Sequence, residues 1–239
     1  MKPIEKLRVL KRRFLRDTDL PMANTWRRCT NNDVWIRFVY QIGVVGGSAP
    51  VDALANNRMM LARISYPRLK RMPSRASRAK AINSVLRLAG IRYASADLAK
   101  CKKTQALVKN FERLESFSGG PRGLLTRLHA LDGARADLRR IKYMMKVFPY
   151  FKSKSARDFL MDLGLVTDAI ALDVRLQNVL NRIGFRVPYA VASNVRLYDE
   201  VEERLLSEVC KPLSLTGLQF DRMIYQNYDQ IMEMSWAEK

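Results

Sequence analysis

Cysteine and histidine are nearly absent from this 239-residue chain, which has three cysteines, Cys29, Cys101 and Cys210, and one histidine, His129. Three thiols, far apart and odd in number, build neither a disulfide framework nor a clustered metal site, and one imidazole cannot hold zinc by itself. Acid is scarce too: 23 Asp and Glu stand against 43 Lys and Arg, with no dense carboxylate cluster to hold magnesium. No apolar run reaches the roughly 18–20 residues of a membrane-spanning helix. The opening MKPIEKLRVLKRRFLR lacks the apolar core and cleavage site of a signal peptide. These absences point to a soluble, intracellular protein without metal or cofactor.

What is present in excess is positive charge. A net charge of +20 and a pI near 10.3 repel themselves unless they meet a polyanion. Nucleic acid is the partner this balance favours, and an anionic membrane surface is the competing one. Hydrophobic residues make up 48% of the chain, enough to bury a core as one compact domain or two packed lobes.

The dominant period is helical. Val34, Phe38 and Ile42 recur at three or four residues, as do Leu124, Leu128 and Leu131, then Leu138, Ile141, Met145 and Phe148, then Leu172, Leu176, Val179, Leu180 and Ile183. Strand alternation is rare, so the fold class is all-α. Breaks at Pro21, Gly43–Pro50, Pro67–Pro73, Ser118–Pro121, Pro149, Gly164 and Pro188 predict eight to ten helices. Tyr66–Lys80, a basic Pro/Ser stretch, reads as an exposed loop that either touches phosphate or merely connects. Lys6, Arg8, Lys11, Arg12, Arg13 and Arg16 alternate with Leu7, Leu10, Phe14 and Leu15 on an amphipathic N-terminal helix. A second basic cluster, Arg135, Arg139, Arg140, Lys142 and Lys146, lies on the helix that runs into Pro149 and is placed to bind phosphate.

That helix ends at the proline, and after YFKSK another begins near Ser155 and runs to Gly164, with Ser153 or Ser155 as its cap and Asp158 answering the helix dipole. A connector that turns backbone amides outward at a helix start is an anion site, and Lys152, Lys154 and Arg157 surround this one. Further on, Asp173 precedes an apolar helical run, the position of an N-cap.

Phe148-Pro149-Tyr150-Phe151-Lys152-Ser153-Lys154-Ser155-Ala156 resembles, without a gap, the hairpin Leu-Pro-Gly-Val-Gly-x-Lys-Thr-Ala of the helix-hairpin-helix DNA glycosylases. Ala171-Leu172-Asp173-Val174-Arg175-Leu176 is similar to the loop that carries that family's aspartate, nineteen residues beyond the lysine. The pattern Lys-x-Ala-x-x-Phe-Leu at 154–160 looks most like the small archaeal-type 8-oxoguanine DNA glycosylase/AP lyases. Another branch has a four-cysteine iron–sulfur cluster after its aspartate, and here only Cys210 follows Asp173. Both hairpin glycines are replaced, by Tyr150 and Lys152, where a Cβ is penalised if the backbone is left-handed.

The resemblance implies two helical lobes, a barrel over 31–131 and a second lobe of 1–30 with 132–239, the latter holding the helix-hairpin-helix (138–164) and the Asp173 loop, with a DNA-binding cleft between them. It implies a monomer, DNA-associated in a prokaryotic-type cytoplasm, acting on double-stranded DNA that contains a damaged base, flipped out of the stack. Lys154 would be the nucleophile, forming a Schiff base followed by β-elimination, and Asp173 would stabilise the oxocarbenium-like transition state and accept a proton. Lys154 would be activated by partial burial, by Lys152 and Arg157, or by the helix N-terminus, with Lys152 in reserve as nucleophile. Gln41, Arg139, Arg140, Tyr150, Lys152, Ser153, Arg157 and Arg175 would contact DNA, and Trp236 and Lys239 the base. Three alternatives stay open. Lys154 and Asp173 are a solvated lysine and a plain cap; the chain is a non-catalytic DNA-binding module; or it excises a different damaged base.

Overall fold

The computed structural model describes residues 2–236, and the regular secondary structure among them is all helical, with no strand. Fourteen α-helices follow one another among the described residues: α1 (Pro3–Phe14), α2 (Asn31–Gly43), α3 (Ala49–Ala55), α4 (Arg58–Arg63), α5 (Tyr66–Lys70), α6 (Arg75–Leu88), α7 (Lys102–Glu115), α8 (Pro121–His129), α9 (Ala136–Val147), α10 (Ser153–Asp162), α11 (Val174–Ile183), α12 (Val195–Leu205), α13 (Gly217–Gln226) and α14 (Tyr228–Glu233). The fold is all-α, as the periodicity predicts. The count exceeds eight to ten because the stretch between Gly43 and Met72 is cut into three short helices, α3 to α5. Tyr66–Lys80 is therefore not a loop. Pro67 sits in the first turn of α5, where a missing N–H costs nothing, and Tyr66 and Leu69 are buried. The Ser74 hydroxyl caps α6 by accepting the Ser77 N–H at 3.1 Å.

The chain divides into two compact units, Trp26–Lys152 and Met1–Thr25 with Ser153–Lys239. The division lies inside the hairpin at Lys152 rather than at residue 131. Side chains near the end of α9 hold it there: the rings of Phe148 and Phe151 lie 5.0 and 4.8 Å from that of Phe38, and Asn110 donates to the Pro149 carbonyl at 3.1 Å.

In the unit Trp26–Lys152, α2 is the packing centre. Thr30 and Asp33 form a reciprocal capping box at its start, and Val34, Trp35, Phe38, Val39 and Ile42 are buried along it. Trp35 meets Phe111 of α7 edge-on at 5.2 Å and donates its indole N–H to the Ile64 carbonyl at 2.7 Å. At the other end of α2 the fully buried Lys103 donates to the carbonyls of Gly43 and Val45 at 3.0 and 2.6 Å, and burial pulls its pKa down. On α9 the buried positions are Ile141 and Met144, so the face turns one residue from the expected Met145.

The second unit packs α1 against α11, α12 and α13. Leu7, Leu10 and Phe14 join Leu176, Val179 and Leu180, then Tyr198, Val201 and Leu205, then Phe220, Met223 and Ile224 in one apolar core. Each such side chain contributes about 1.5–3 kcal/mol through burial. Gly164 ends α10 in the left-handed region at φ 65°, its N–H bonded to Met161 and that of Leu165 to Leu160. A Cβ at Gly164 would stand 2.6 Å from the Met22 carbonyl oxygen, so the turn needs glycine for space as well as conformation.

Candidate active site

Lys154 is the second residue of α10, and its Nζ donates to Asp158 Oδ2 at 2.9 Å, one turn further along the same helix. The other oxygen of Asp158 accepts from Arg222 of α13 at 3.0 Å. Arg222 also reaches Asp162 at 2.7 Å and Asp221 at 3.5 Å. Asp158 and Asp162 stand four residues apart on α10, a spacing at which like charges repel, and the shared guanidinium neutralises them.

Burial pulls the Lys154 ammonium down, but Asp158, with Asp173 and Asp221 adding to its field, outweighs that and holds the pKa above the ordinary lysine value. Burial pushes the Asp158 carboxyl up, and Lys154 and Arg222 together more than reverse it, so Asp158 is a firm carboxylate. Activation of Lys154 by cationic neighbours is not what the side chains provide. The expected neighbour Arg157 is fully buried and turned away, donating to Glu202 from Nε at 2.8 Å and to Asp199 from Nη2 at 3.0 Å, with its guanidinium over the Tyr198 ring at 4.3 Å. Arg157 is thus engaged inside its own unit, with no part of its side chain exposed to solvent.

The segment leading to Asp173 is held by side chains that accept its backbone N–H groups one after another. Ile170 donates to Glu202 at 2.7 Å, Ala171 to Asp221 at 2.8 Å and Leu172 to the Tyr198 hydroxyl at 2.6 Å, while that hydroxyl donates to the Ile170 carbonyl at 3.0 Å. Behind the segment, the Leu218 N–H bonds to the Thr167 carbonyl at 2.9 Å, and a Cβ on Gly217 would lie 2.5 Å from the Ala169 oxygen. Only glycine lets α13 approach so closely. Asp221 is buried, and burial raises its carboxyl to about 7 against the opposing Arg222, with Asp158 and Asp173 adding to the rise. Asp173 then caps α11, its Oδ1 accepting the Leu176 N–H at 2.9 Å. Its Oδ2 accepts no hydrogen bond among the described residues.

Other expected contacts fall in different settings. Ser153 is buried, its carbonyl accepting from Arg157 at 3.0 Å, so its side chain is not offered to solvent. Arg140 is committed to structure. It donates to the Leu128 carbonyl at 3.0 Å and the His129 carbonyl at 3.4 Å at the end of α8, and to Asp137 at 3.2 Å. Arg139 is exposed and donates to the Asp132 carbonyl. Lys152 is exposed, and Tyr150, half-buried, sits in the left-handed region at φ 71°. Lys152 does not adopt that conformation, so one hairpin glycine position is strained and the other is not. Gln41 lies in the last turn of α2 with its Oε1 buried and unpartnered among the described residues. Arg175 is exposed, its guanidinium 5.0 and 5.6 Å from the rings of Tyr225 and Tyr228. Trp236 packs against the apolar core with Lys6 5.7 Å above its ring, and its buried indole N–H has no acceptor among the described residues. Lys239 lies outside the described residues.

Asp158, Asp221 and Arg222 belong to the cluster but not to the sequence-based set. The Lys154/Asp158 spacing is a legible i,i+4 pair. Nothing local to Asp221 and Arg222 marks them, since their partners lie about 50 and 64 residues away.

No protein-family model matches the chain, and no curated protein matches it. A solved structure does share the fold. The crystal structure of Tm1821, the 8-oxoguanine DNA glycosylase of Thermotoga maritima, matches with a TM-score of 0.63 and 18% sequence identity, covering 93% of this chain and 92% of that one. The chain has the all-helical fold of that glycosylase.

Proposed function

We propose that this protein is a DNA glycosylase with AP lyase activity that excises 8-oxoguanine from double-stranded DNA in base excision repair. The observation that carries the proposal is the cluster in the unit that contains both residues: a lysine amine held in the field of three carboxylates, one of them Asp173 with an oxygen unengaged. It is set in a fold shared with an 8-oxoguanine DNA glycosylase.

In the resting protein the Lys154 amine is protonated and hydrogen-bonded to Asp158, which fixes its position and keeps it unreactive. Attack requires that proton to leave; the fields of Asp158, Asp173 and Asp221 all reach the ammonium, and Asp158 is the one in hydrogen-bond contact with it. The free amine adds to C1′ of the damaged nucleotide, the glycosidic bond electrons leave with the base, and positive charge gathering on the sugar is stabilised by Asp173. The C1′ adduct opens to an imine joining Lys154 to the sugar. Loss of a C2′ proton then expels the 3′ phosphate and nicks the strand. A base must leave the stack before any of this, and the unpartnered Trp236 indole N–H favours a donor role toward the flipped base, as the unpartnered Gln41 oxygen favours a contact with opened DNA. Arg139, Lys152 and Arg175 are the exposed cations assigned to phosphate.

The experiment is incubation of the protein with a duplex holding one 8-oxoguanine, with products run before and after hot alkali. Direct nicking supports a coupled glycosylase/lyase, and nicking only after alkali supports base removal alone. An uncut duplex that still binds the protein favours a non-catalytic DNA-binding module.

A further inference from the structure

The stretch 58–103 holds thirteen Lys and Arg against a single acid, Asp97, and so carries more than half of the net charge of +20 in a fifth of the chain. The proposed chemistry uses none of it. Helix α6 turns Ile82, Val85 and Leu86 into the core, which leaves Lys80, Ser84, Arg87 and Leu88 along one outward face at spacings of four, seven and eight residues. That face lines a shallow groove whose far wall is Ala96 and Leu98, held in place by the Asn83 side chain donating to the Ser95 carbonyl at 2.9 Å. Arg63 of α4 reaches the middle of the face and donates to Ser84 Oγ at 3.3 Å. Lys80 and Arg87 flank the groove about 10 Å apart along the helix axis.

Among the described residues no carboxylate pairs with Arg63, Lys80 or Arg87, whereas Lys70 and Arg75, elsewhere in the stretch, are answered by Glu115 at 3.4 Å and Glu112 at 3.2 Å. Asp97 turns back into its own loop, accepting from Ala99 N at 2.8 Å and pairing with Lys100 at 3.6 Å. The exposed side chains of Arg58, Arg68, Lys80, Arg87 and Lys102 form no hydrogen bond or ion pair among the described residues. An ordinary solvated face interleaves both signs. A concave one with a single sign, apolar walls and a hydroxyl at its floor suits a chain of phosphates.

We propose that the α6 groove, rimmed by Lys80, Arg87 and Arg63, binds the sugar-phosphate backbone of duplex DNA independently of sequence and of lesion, as a surface separate from the Lys154 cluster. Such a contact would raise residence on undamaged DNA during search. It stands whether or not the chain excises a base.

The test is fluorescence anisotropy on an undamaged duplex across a salt series, with wild type and the double variant Lys80→Gln/Arg87→Gln, whose exposed positions leave the core untouched. Losing two phosphate contacts should make the plot of log affinity against log salt shallower by about 2 and weaken binding about tenfold at low salt. An unchanged slope and affinity overturns the proposal. So does unchanged DNA binding accompanied by loss of binding to phosphatidylserine-containing vesicles, which would make the face a lipid surface. Borohydride trapping by the same variant at saturating 8-oxoguanine duplex should match wild type. Failure of wild type to trap would count against the catalytic proposal and leave the groove standing.

Discussion

The Nζ of Lys154 lies 2.9 Å from Asp158 Oδ2, one helical turn along α10, and Asp158 is itself clamped at 3.0 Å by Arg222 from α13. The amine proposed as nucleophile is thus stored as an ion pair, and its release governs reactivity. Replacing Asp158 by Asn keeps the shape and removes the largest field that raises the Lys154 pKa. Because the ammonium then loses its proton at lower pH, the rise of borohydride trapping with pH should move toward neutrality in D158N. Trapping rates measured from pH 6 to 10 check this, and a profile superimposable on wild type would show that Asp158 does not set the protonation of Lys154.

Arg157 is expected to matter for stability and not for DNA contact. Its guanidinium is fully buried among Glu202, Asp199 and Tyr198, and Glu202 also accepts the Ile170 N–H. Removing one partner of a buried ion pair strands the other, so Arg157→Met should destabilise the protein by about 3–5 kcal/mol. Urea unfolding measures this. A loss below about 1 kcal/mol with weakened DNA binding would return Arg157 to the DNA interface.

Asp221 makes stability depend on pH. Its folded pKa of about 7 lies above the ordinary carboxyl value of 3.8, so the folded protein keeps a proton that the unfolded chain releases. A raised pKa gives a contribution that is full below about pH 4 and is lost as pH rises through about 7. Asp221→Asn removes the ionisation and leaves an acceptor for the Ala171 N–H. The difference in Tm, variant minus wild type, should therefore be more positive at pH 8 than at pH 5. An equal difference at both pH values would show that Asp221 is ionised across the range.

What the sequence made legible was local. The amphipathic spacing of Leu7, Leu10 and Phe14 identifies α1 without reference to its partners, and Asp173 before Val174 marks a cap because capping is settled within three residues. The hairpin was legible as a break at Pro149, but which replaced glycine carries the strain was not. Tyr150 is left-handed at φ 71°, at a cost of roughly 1–2 kcal/mol, and Lys152 is not. Arg157 looked like one more surface cation beside Lys152 and Lys154. Its burial is decided by Asp199 and Glu202, 42 and 45 residues later, and only the fold brings them in. Arg222 escaped notice for the same reason. Tyr66–Lys80 misled through composition, since Pro67 and Ser74 are a first-turn proline and a helix cap rather than marks of irregular chain.

The measurement closest to the central claim is sodium borohydride trapping on a duplex bearing one 8-oxoguanine, with wild type and Lys154→Gln side by side. Wild type should give a covalent protein–DNA adduct. The variant should bind the duplex with nearly the same affinity, since Lys154 Nζ is engaged with Asp158, and give none. An adduct of equal yield from Lys154→Gln would contradict the assignment of the nucleophile. No adduct from a wild type that binds tightly would contradict the lyase mechanism itself.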